Sequence, residues 1–528
     1  MMDYQLTVPA IVRRCEAMSG AREVVSRLPD RSIHRTTYAA VIERSRRLAG
    51  ALAALGIGDG DRVGTLCWNH HAHLEAYLAV PSLGAVVHTL NPRLSADDLA
   101  FIASDAGDRA LIVDAPLLPV LASFRARTAI EHVIVVGEAD ELPHDALPYE
   151  ELLAGGEPRD PVEPHEGQAA AMCYTSGTTG RPKGVLYSHR STALHSLLSL
   201  AADGLAIAEP DVVMPVVPMF HVNAWGLPFT SVLAGAKLVL PGPHLDPESL
   251  LELIQGERVT LTAGVPTVWL PLLDALDREP GRWDVSCLRA LVIGGSAAPP
   301  ALIQAFDERH GVPVLHAWGM TEMSPIGTIA RVPAGLADAA PGEQLAARAS
   351  QGRSLPFVEV RARGDRGFAP RDGTTMGELE VRGPTVARSY YGGAGAEQFT
   401  EDGWFRTGDV VTVDRFGQIQ IQDRAKDLVK SGGEWISSVD LENALMGHVA
   451  VAEAAVIAIP DERWQERPLA VVVLRDGATA TADELREHLG RTYPKWWLPD
   501  RVEFVDAIPR TATGKFLKTA LRERYAGP

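Results

Sequence analysis

At 528 residues the chain is too long for one ordinary hydrophobic core, so two or more domains are expected. With 46% hydrophobic and 22% charged residues it reads as a soluble globular protein. Its formal charge of −17 excludes nucleic acid or an anionic membrane as the main partner, though not a nucleotide held by a local group of lysines. Cys15, Cys67, Cys173 and Cys287 are scattered, with no Cys-x-x-Cys pair, and predict reduced thiols in a cytoplasmic protein. The N-terminus lacks a basic head followed by an apolar run, so no signal peptide is expected. No run of about 18 apolar residues predicts a membrane span.

Residues 30–170 alternate strand-like and helix-like segments. Arg62 to Trp68, Arg109 to Val113 and His132 to Val136 have strand patterns, and His73 to Val87 is helix-rich. Such alternation predicts an α/β protein with largely parallel sheets. His70, His71 and His73 have the wrong spacing for one helix face and no evident carboxylate partner, so they read as surface or packing residues.

The apolar run Ala169 to Cys173 predicts a strand that ends in Tyr174-Thr-Ser-Gly-Thr-Thr-Gly-Arg-Pro-Lys-Gly184, with a helix from about Ser191 to Leu200. Gly177, Gly180 and Gly184 allow backbone N–H groups to approach anions. Thr175, Ser176, Thr178 and Thr179 add hydroxyls, and Lys183 a mobile positive charge. Pro182 five positions after Gly177, with no Gly-Lys-Ser/Thr, rules out a Walker A loop. The competing reading is a flexible linker, yet linkers rarely join a buried strand to a helix. The composition points to polyphosphate.

Downstream, Val216 to Gly226 mixes apolar bulk with His221, Asn223 and Trp225; His221 suits a core histidine or a catalytic one. Leu291 to Pro300 predicts strand, glycine turn and helix start, placing Gly295, Ser296 and Ala297 where a flat ring can approach the backbone. In His316-Ala-Trp-Gly-Met-Thr-Glu322, Glu322 is a hard oxygen ligand suited to Mg²⁺ and Thr321 a donor to phosphate, or the pair is a capped helix start. From Gly377 short alternating segments and Gly/Asp turns predict a small antiparallel sheet or barrel containing Asp409. Asp423 to Trp435 is dense in charge and glycine, as expected of a hinge. The last hundred residues read as a compact α+β unit. Thr481-Ala-Asp-Glu484 predicts a capping box, and Lys515 follows a Thr-Gly turn, where a lysine is ordinarily a solvated charge.

Tyr-Thr-Ser-Gly-Thr-Thr-Gly-x-Pro-Lys-Gly resembles the signature of the adenylate-forming superfamily of acyl-CoA synthetases, adenylation domains and luciferases. Trp-Gly-Met-Thr-Glu and Pro-Arg-Thr-x-x-Gly-Lys match further motifs of it, and the resemblance covers nearly the whole chain. It implies a large N-terminal domain of stacked α/β sheets with a small β-barrel-like subdomain, residues 1–424. A mobile α+β domain, 425–528, would turn about a hinge near Lys426. The loop Thr175 to Gly180 with Lys183 would bind ATP; Gly295, Ser296, Ala297, Trp318, Gly319 and Met320 would hold the adenine side; Asp409 and Arg424 the ribose. Glu322 would hold Mg²⁺; Lys515, Thr321 and His221 would serve the chemistry. Gly432 and Gly433 would line a coenzyme A tunnel. Trp435, in a segment especially close to bacterial long-chain fatty acyl-CoA synthetases, would gate the acyl tunnel. Ala317 stands where many relatives have glycine, and its methyl weighs against a long straight chain. The implied reaction is ATP-dependent activation of a hydrophobic carboxylic acid as acyl-AMP, then transfer to CoA. The alternatives are transfer to a carrier protein or another nucleophile, oxidation of a luciferin-like adenylate, or an inactive scaffold. Relatives suggest a homodimer by analogy.

Overall fold

The computed structural model describes residues 1–175, 181–364, 367–431, 434–510 and 516–525. Among these residues four sheets form. The first has seven strands, ordered Ala146–Pro148, His132–Val136, Asp108–Asp114, Arg62–Leu66, Val86–Thr89, Ala169–Tyr174 and Gly184–Ser188. Every neighbouring pair is parallel except the last, which is the hairpin around the glycine-threonine loop. The second has nine strands, with a parallel centre from Val314–Gly319 through Ala290–Ile293, Leu261–Gly264, Val212–Pro215 and Lys237–Leu240 to Glu23–Arg27, and antiparallel edges. The central strands are continuous apolar runs, as sheets covered on both faces require.

Strands Glu359–Gly364, Gly377–Arg382, Phe405–Val413 and Ile419–Arg424, with the short Gly367–Phe368, make a five-stranded antiparallel sheet. After it come two hairpins, Val429–Ser431 with Glu434–Ile436 and Val451–Asp461 with Gln465–Leu474, and a parallel strand Arg501–Phe504. Helices cover both faces of this last sheet. Leu441, Leu445, Leu485 and Leu489 fill one side, Ile508 and Leu521 the other. The expected capping box is present: Thr481 and Glu484 satisfy each other's backbone N–H groups.

Two local readings change. The helix expected over 73–87 is His71–Ser82, and Val86–Thr89 is a strand in the parallel sheet. Of the two readings for these histidines, packing holds for His70 and His73, while the expected lack of a carboxylate partner does not. His70 and His73 are buried, and His70 Nε2 lies 2.7 Å from Asp114 Oδ1, the carboxylate that helical spacing could not reveal because it sits at the end of a neighbouring strand. His70 Nδ1 accepts from His73 N as the helix cap. Cys67, His70 and Asp114 lie close enough to hold an ion, but both nitrogens of His70 already have protein partners, which makes this a structural network.

Candidate active site

The glycine-threonine loop begins at the carboxyl end of the parallel strand Ala169–Tyr174. The turns after Pro215, Ile293 and Gly319 likewise follow carboxyl ends of strands, where open α/β sheets place their ligands. Hydrogen bonds draw these ends together. Tyr187 donates to Thr321 O at 2.6 Å, and Cys173 lies 3.4 Å from Asn223 Oδ1.

At the loop's mouth, Thr175 N donates to Lys183 O at 3.0 Å and Lys183 N to Thr175 Oγ1 at 3.1 Å, so the two predicted residues face each other. Ser176, Gly177, Thr178, Thr179 and Gly180 lie outside the described residues. Gly184 also has a packing reason to be glycine. A Cβ there would fall 2.5 Å from Met172 Cε and 3.0 Å from the Tyr174 ring. The Lys183 ammonium is 2.9 Å from Gln398 Oε1 and 5.0 Å above the Tyr390 ring. Tyr390 in turn donates to Glu322 Oε1 at 2.5 Å. Burial and the adjacent Glu322 carboxylate push the Tyr390 phenol well up, so it stays a protonated donor. One ring therefore links the phosphate-loop lysine to the buried glutamate. Nothing in the local sequence marked Tyr390: it is sixty-eight positions from its partner.

Trp318 closes the next side. Its Nε1 donates to Asp409 Oδ2 at 3.0 Å, and Asp409 Oδ1 takes the Arg424 guanidinium at 2.7 Å. Asp409 and Arg424 are paired across adjacent strands, so register alone brings the two predicted ribose contacts together. Gly319 must be glycine, because a Cβ would lie 2.1 Å from Pro325 O. Met320 N bonds that same carbonyl at 3.1 Å.

The remaining wall is aromatic. Gly295, at φ +80°, and Ser296 are exposed beyond the strand Ala290–Ile293, with Ala297 half-buried. The Trp225 ring lies over this shelf; a Cβ on Gly294 would come within 2.8 Å of it. Trp225 ends a left-handed turn in which Val222, Asn223, Ala224 and Trp225 have φ of 48°, 52°, 48° and 57°. Each non-glycine residue held there costs about 1–2 kcal/mol. His221 is half-buried just before the turn, its N–H donating to Pro218 O at 3.0 Å. At the far end His195 packs on Gly226, where a Cβ would sit 2.7 Å from its Nδ1, and its Nε2 accepts from Ile326 N at 3.1 Å. Burial lowers the His195 pKa to about 4, so the imidazole is neutral.

Lys515 lies outside the described residues, as do Gly432 and Gly433. The segments flanking Lys515 are paired: Arg510 bridges Phe516, and Leu517 N donates to Pro509 O at 2.8 Å. Trp435 is 39% exposed, with the Lys430 ammonium 4.8 Å from its ring centre. At the junction, Ser438 N donates to Asp423 Oδ2 at 2.7 Å, Lys518 Nζ reaches Glu442 Oε1 at 2.6 Å, and Arg522 pairs with Asp427. Burial opposes the Lys518 charge, but Glu442, Asp423 and Asp427 together hold its pKa up.

Family models for AMP-binding enzymes match residues 12–391, and for their C-terminal domain residues 440–515. The chain belongs to the AMP-binding enzyme family. Among curated relatives of this family, a long-chain-fatty-acid–CoA ligase of Thermus thermophilus is 53% identical, covering 99% of this chain and 96% of the relative. A 3-methylmercaptopropionyl-CoA ligase of Ruegeria lacuscaerulensis is 45% identical over 99% and 98%. The solved anthranilate CoA ligase with anthranoyl-AMP superposes at a TM-score of 0.87 with 27% identity, covering 99% and 98% of the two chains. This AMP-binding enzyme is thus an acid–thiol ligase that makes an acyl-CoA through an acyl-adenylate. No helix among the described residues is long and apolar enough to cross a membrane.

Proposed function

We propose that the acid is a medium- or long-chain fatty acid or a related hydrophobic carboxylate, and that residues 1–424 and 425–528 act as two bodies hinged near Lys426. The 53% identity to a long-chain-fatty-acid–CoA ligase and the Trp225 wall support the acid. On the nucleotide side the bridge Lys183–Tyr390–Glu322 sets a cation over the face of one ring and a buried carboxylate at its hydroxyl, at the mouth of a loop suited to phosphates. Asp409, with spare lone pairs beside Trp318 and Arg424, accepts the ribose hydroxyls. The apolar tail lies along Trp225, with His221 beside it and Ala317 in the wall.

In the first half-reaction the carboxylate oxygen attacks the α-phosphorus of ATP, forming the acyl–O–P bond as the bond to pyrophosphate breaks. Both reactants are anions, so the protein's task is positioning and charge stabilisation. Lys183, the loop N–H groups and Lys515 supply positive charge, each well-placed donor contributing roughly 3–4 kcal/mol. Glu322 fits Mg²⁺: it is a buried hard oxygen donor oriented by Tyr390, and a single carboxylate shared with substrate phosphates suits that ion. Bound there, Mg²⁺ would neutralise phosphate charge. Thr321, on the same short turn, donates to phosphate. In the second half-reaction the C-terminal body turns, withdrawing Lys515 and bringing Gly432, Gly433 and Trp435 to the site. The CoA sulfur attacks the acyl carbonyl and AMP leaves with the bonding pair, while the thiol proton passes to solvent. The reading includes a homodimer in the cytoplasm, where ATP and CoA are both supplied; light scattering checks the dimer.

ATP–pyrophosphate exchange over fatty, thioether, aromatic and branched acids tests the proposal. Exchange with hydrophobic aliphatic acids before CoA is added, and a thioester only afterwards, is expected. Exchange confined to small polar or aromatic acids would overturn the assignment of the acid.

A further inference from the structure

Four consecutive non-glycine residues in left-handed backbone persist only where their surroundings over-determine them. At Val222–Trp225 the Asn223 side chain is one of the groups that hold the turn from behind. Its Oδ1 is buried, 3.1 Å from the Tyr77 hydroxyl and 3.4 Å from Cys173 Sγ. The single hydroxyl proton of Tyr77, on the helix His71–Ser82, is shared between Asn223 Oδ1 and Met219 O, the latter nearer at 2.5 Å and just ahead of the turn. Cys173 is the penultimate residue of the strand entering the nucleotide loop, and burial pushes its thiol up to about 11, so it is a neutral partner. Thr89 completes the set, 3.3 Å from Cys173 Sγ and donating to Phe220 O at 3.2 Å. Fully buried neutral hydrogen bonds of this kind fix one geometry and are lost at full desolvation cost when a partner is removed.

We propose that Asn223 is a positioning residue for the acid: through Tyr77 and Cys173 it ties the turn bearing His221 and Trp225 to the strand that leads into the nucleotide loop. This rests on the reading that Trp225 borders the acid. The network touches neither Glu322 nor Asp409, so the metal and ribose contacts do not depend on it. Weakening it moves Trp225 against the Gly294–Gly295 shelf and leaves Glu322 and Asp409 in place. The carboxylate is then held less well, while ATP keeps its metal and ribose contacts.

The test is pyrophosphate exchange with Tyr77→Phe and Asn223→Ala, varying acid at saturating ATP and ATP at saturating acid, alongside thermal melts and Trp225→Ala. The KM for the acid rises roughly tenfold in both network variants, the size expected for one buried hydrogen bond, with the KM for ATP within about twofold of the parent. Ala224→Gly, which relieves the backbone without touching the network, leaves both KM values unchanged. If the network variants melt earlier but keep both KM values, or raise both equally, the network is only structural and the proposal falls. Should Asn223→Ala fail to fold, Cys173→Ala, which removes the other partner of Asn223 Oδ1, decides together with Tyr77→Phe. Trp225→Ala separates the two claims. If it raises the acid KM and the network variants do not, the positioning role is wrong. If it too leaves the acid KM unmoved, the acid wall is misplaced.

Discussion

The turn at 218–226 and the junction at 422–442 are both interior corners where distant segments meet, and they are built from opposite materials. The turn is held by neutral groups: Tyr77, Asn223, Cys173 and an uncharged His195. Charges crowd the junction: Asp423 accepts from Ser438 N across it and faces Lys518, whose pair with Glu442, like Arg522–Asp427, lies within the C-terminal body. Neutral buried bonds cannot be exchanged for water without loss, so the turn keeps one geometry. Ion pairs regain much of their energy as hydration once exposed, so a charged junction can open and re-form at low net cost. The contrast suits a rigid acid site served by a body that must change places.

The largest break in that comparison is at Lys515. Lys515→Ala abolishes adenylate formation yet still converts supplied acyl-adenylate to thioester; if adenylation survives, the charge is not delivered by the moving body. Next, Glu322→Gln lowers the adenylation rate by about 10²–10³, because a charge is lost where the transition state needs it. An unchanged rate in single-turnover assays would place the metal elsewhere. Lys518→Met leaves Glu442 and Asp423 without their cation and costs about 3 kcal/mol in denaturant melts at pH 7. A neutral effect would show that the junction is hydrated even when closed.

On the neutral side, burial and the adjacent His70 lower His73 to about 3, and burial lowers His195 to about 4, from an ordinary 6.5. The folded state prefers both uncharged, so their stability contribution is complete above pH 6.5 and is lost as pH falls toward 4 and 3. Each removes about 1.4 kcal/mol per pH unit in that window. His195→Gln flattens the pH dependence of stability by one proton, and an unaltered slope contradicts the assignment. Smallest is Thr481→Ala, which removes the capping box and costs about 1 kcal/mol without altering either half-reaction.

What was legible in the chain follows the same division. The parallel sheets showed because buried strands are continuous apolar runs, and the capping box because its two partners are three residues apart. Asp409 and Arg424 were named separately; that they pair is a matter of strand register, which one sequence does not print. Tyr390, Tyr187 and Tyr77 were missed because an isolated tyrosine carries no local pattern, and each acts on a residue at least 68 positions away. The His70–Asp114 contact was missed for the same reason, and the left-handed turn because the contacts that surround it, those of Asn223 among them, are tertiary.

The most direct measurement is a crystal structure with a non-hydrolysable acyl-adenylate analogue bearing a medium-length alkyl tail. The account predicts its ribose hydroxyls on Asp409, its phosphate mimic between Lys183 and Glu322, and its tail along Trp225. An analogue bound with its ribose away from Asp409, or its tail leading away from Trp225, would contradict it.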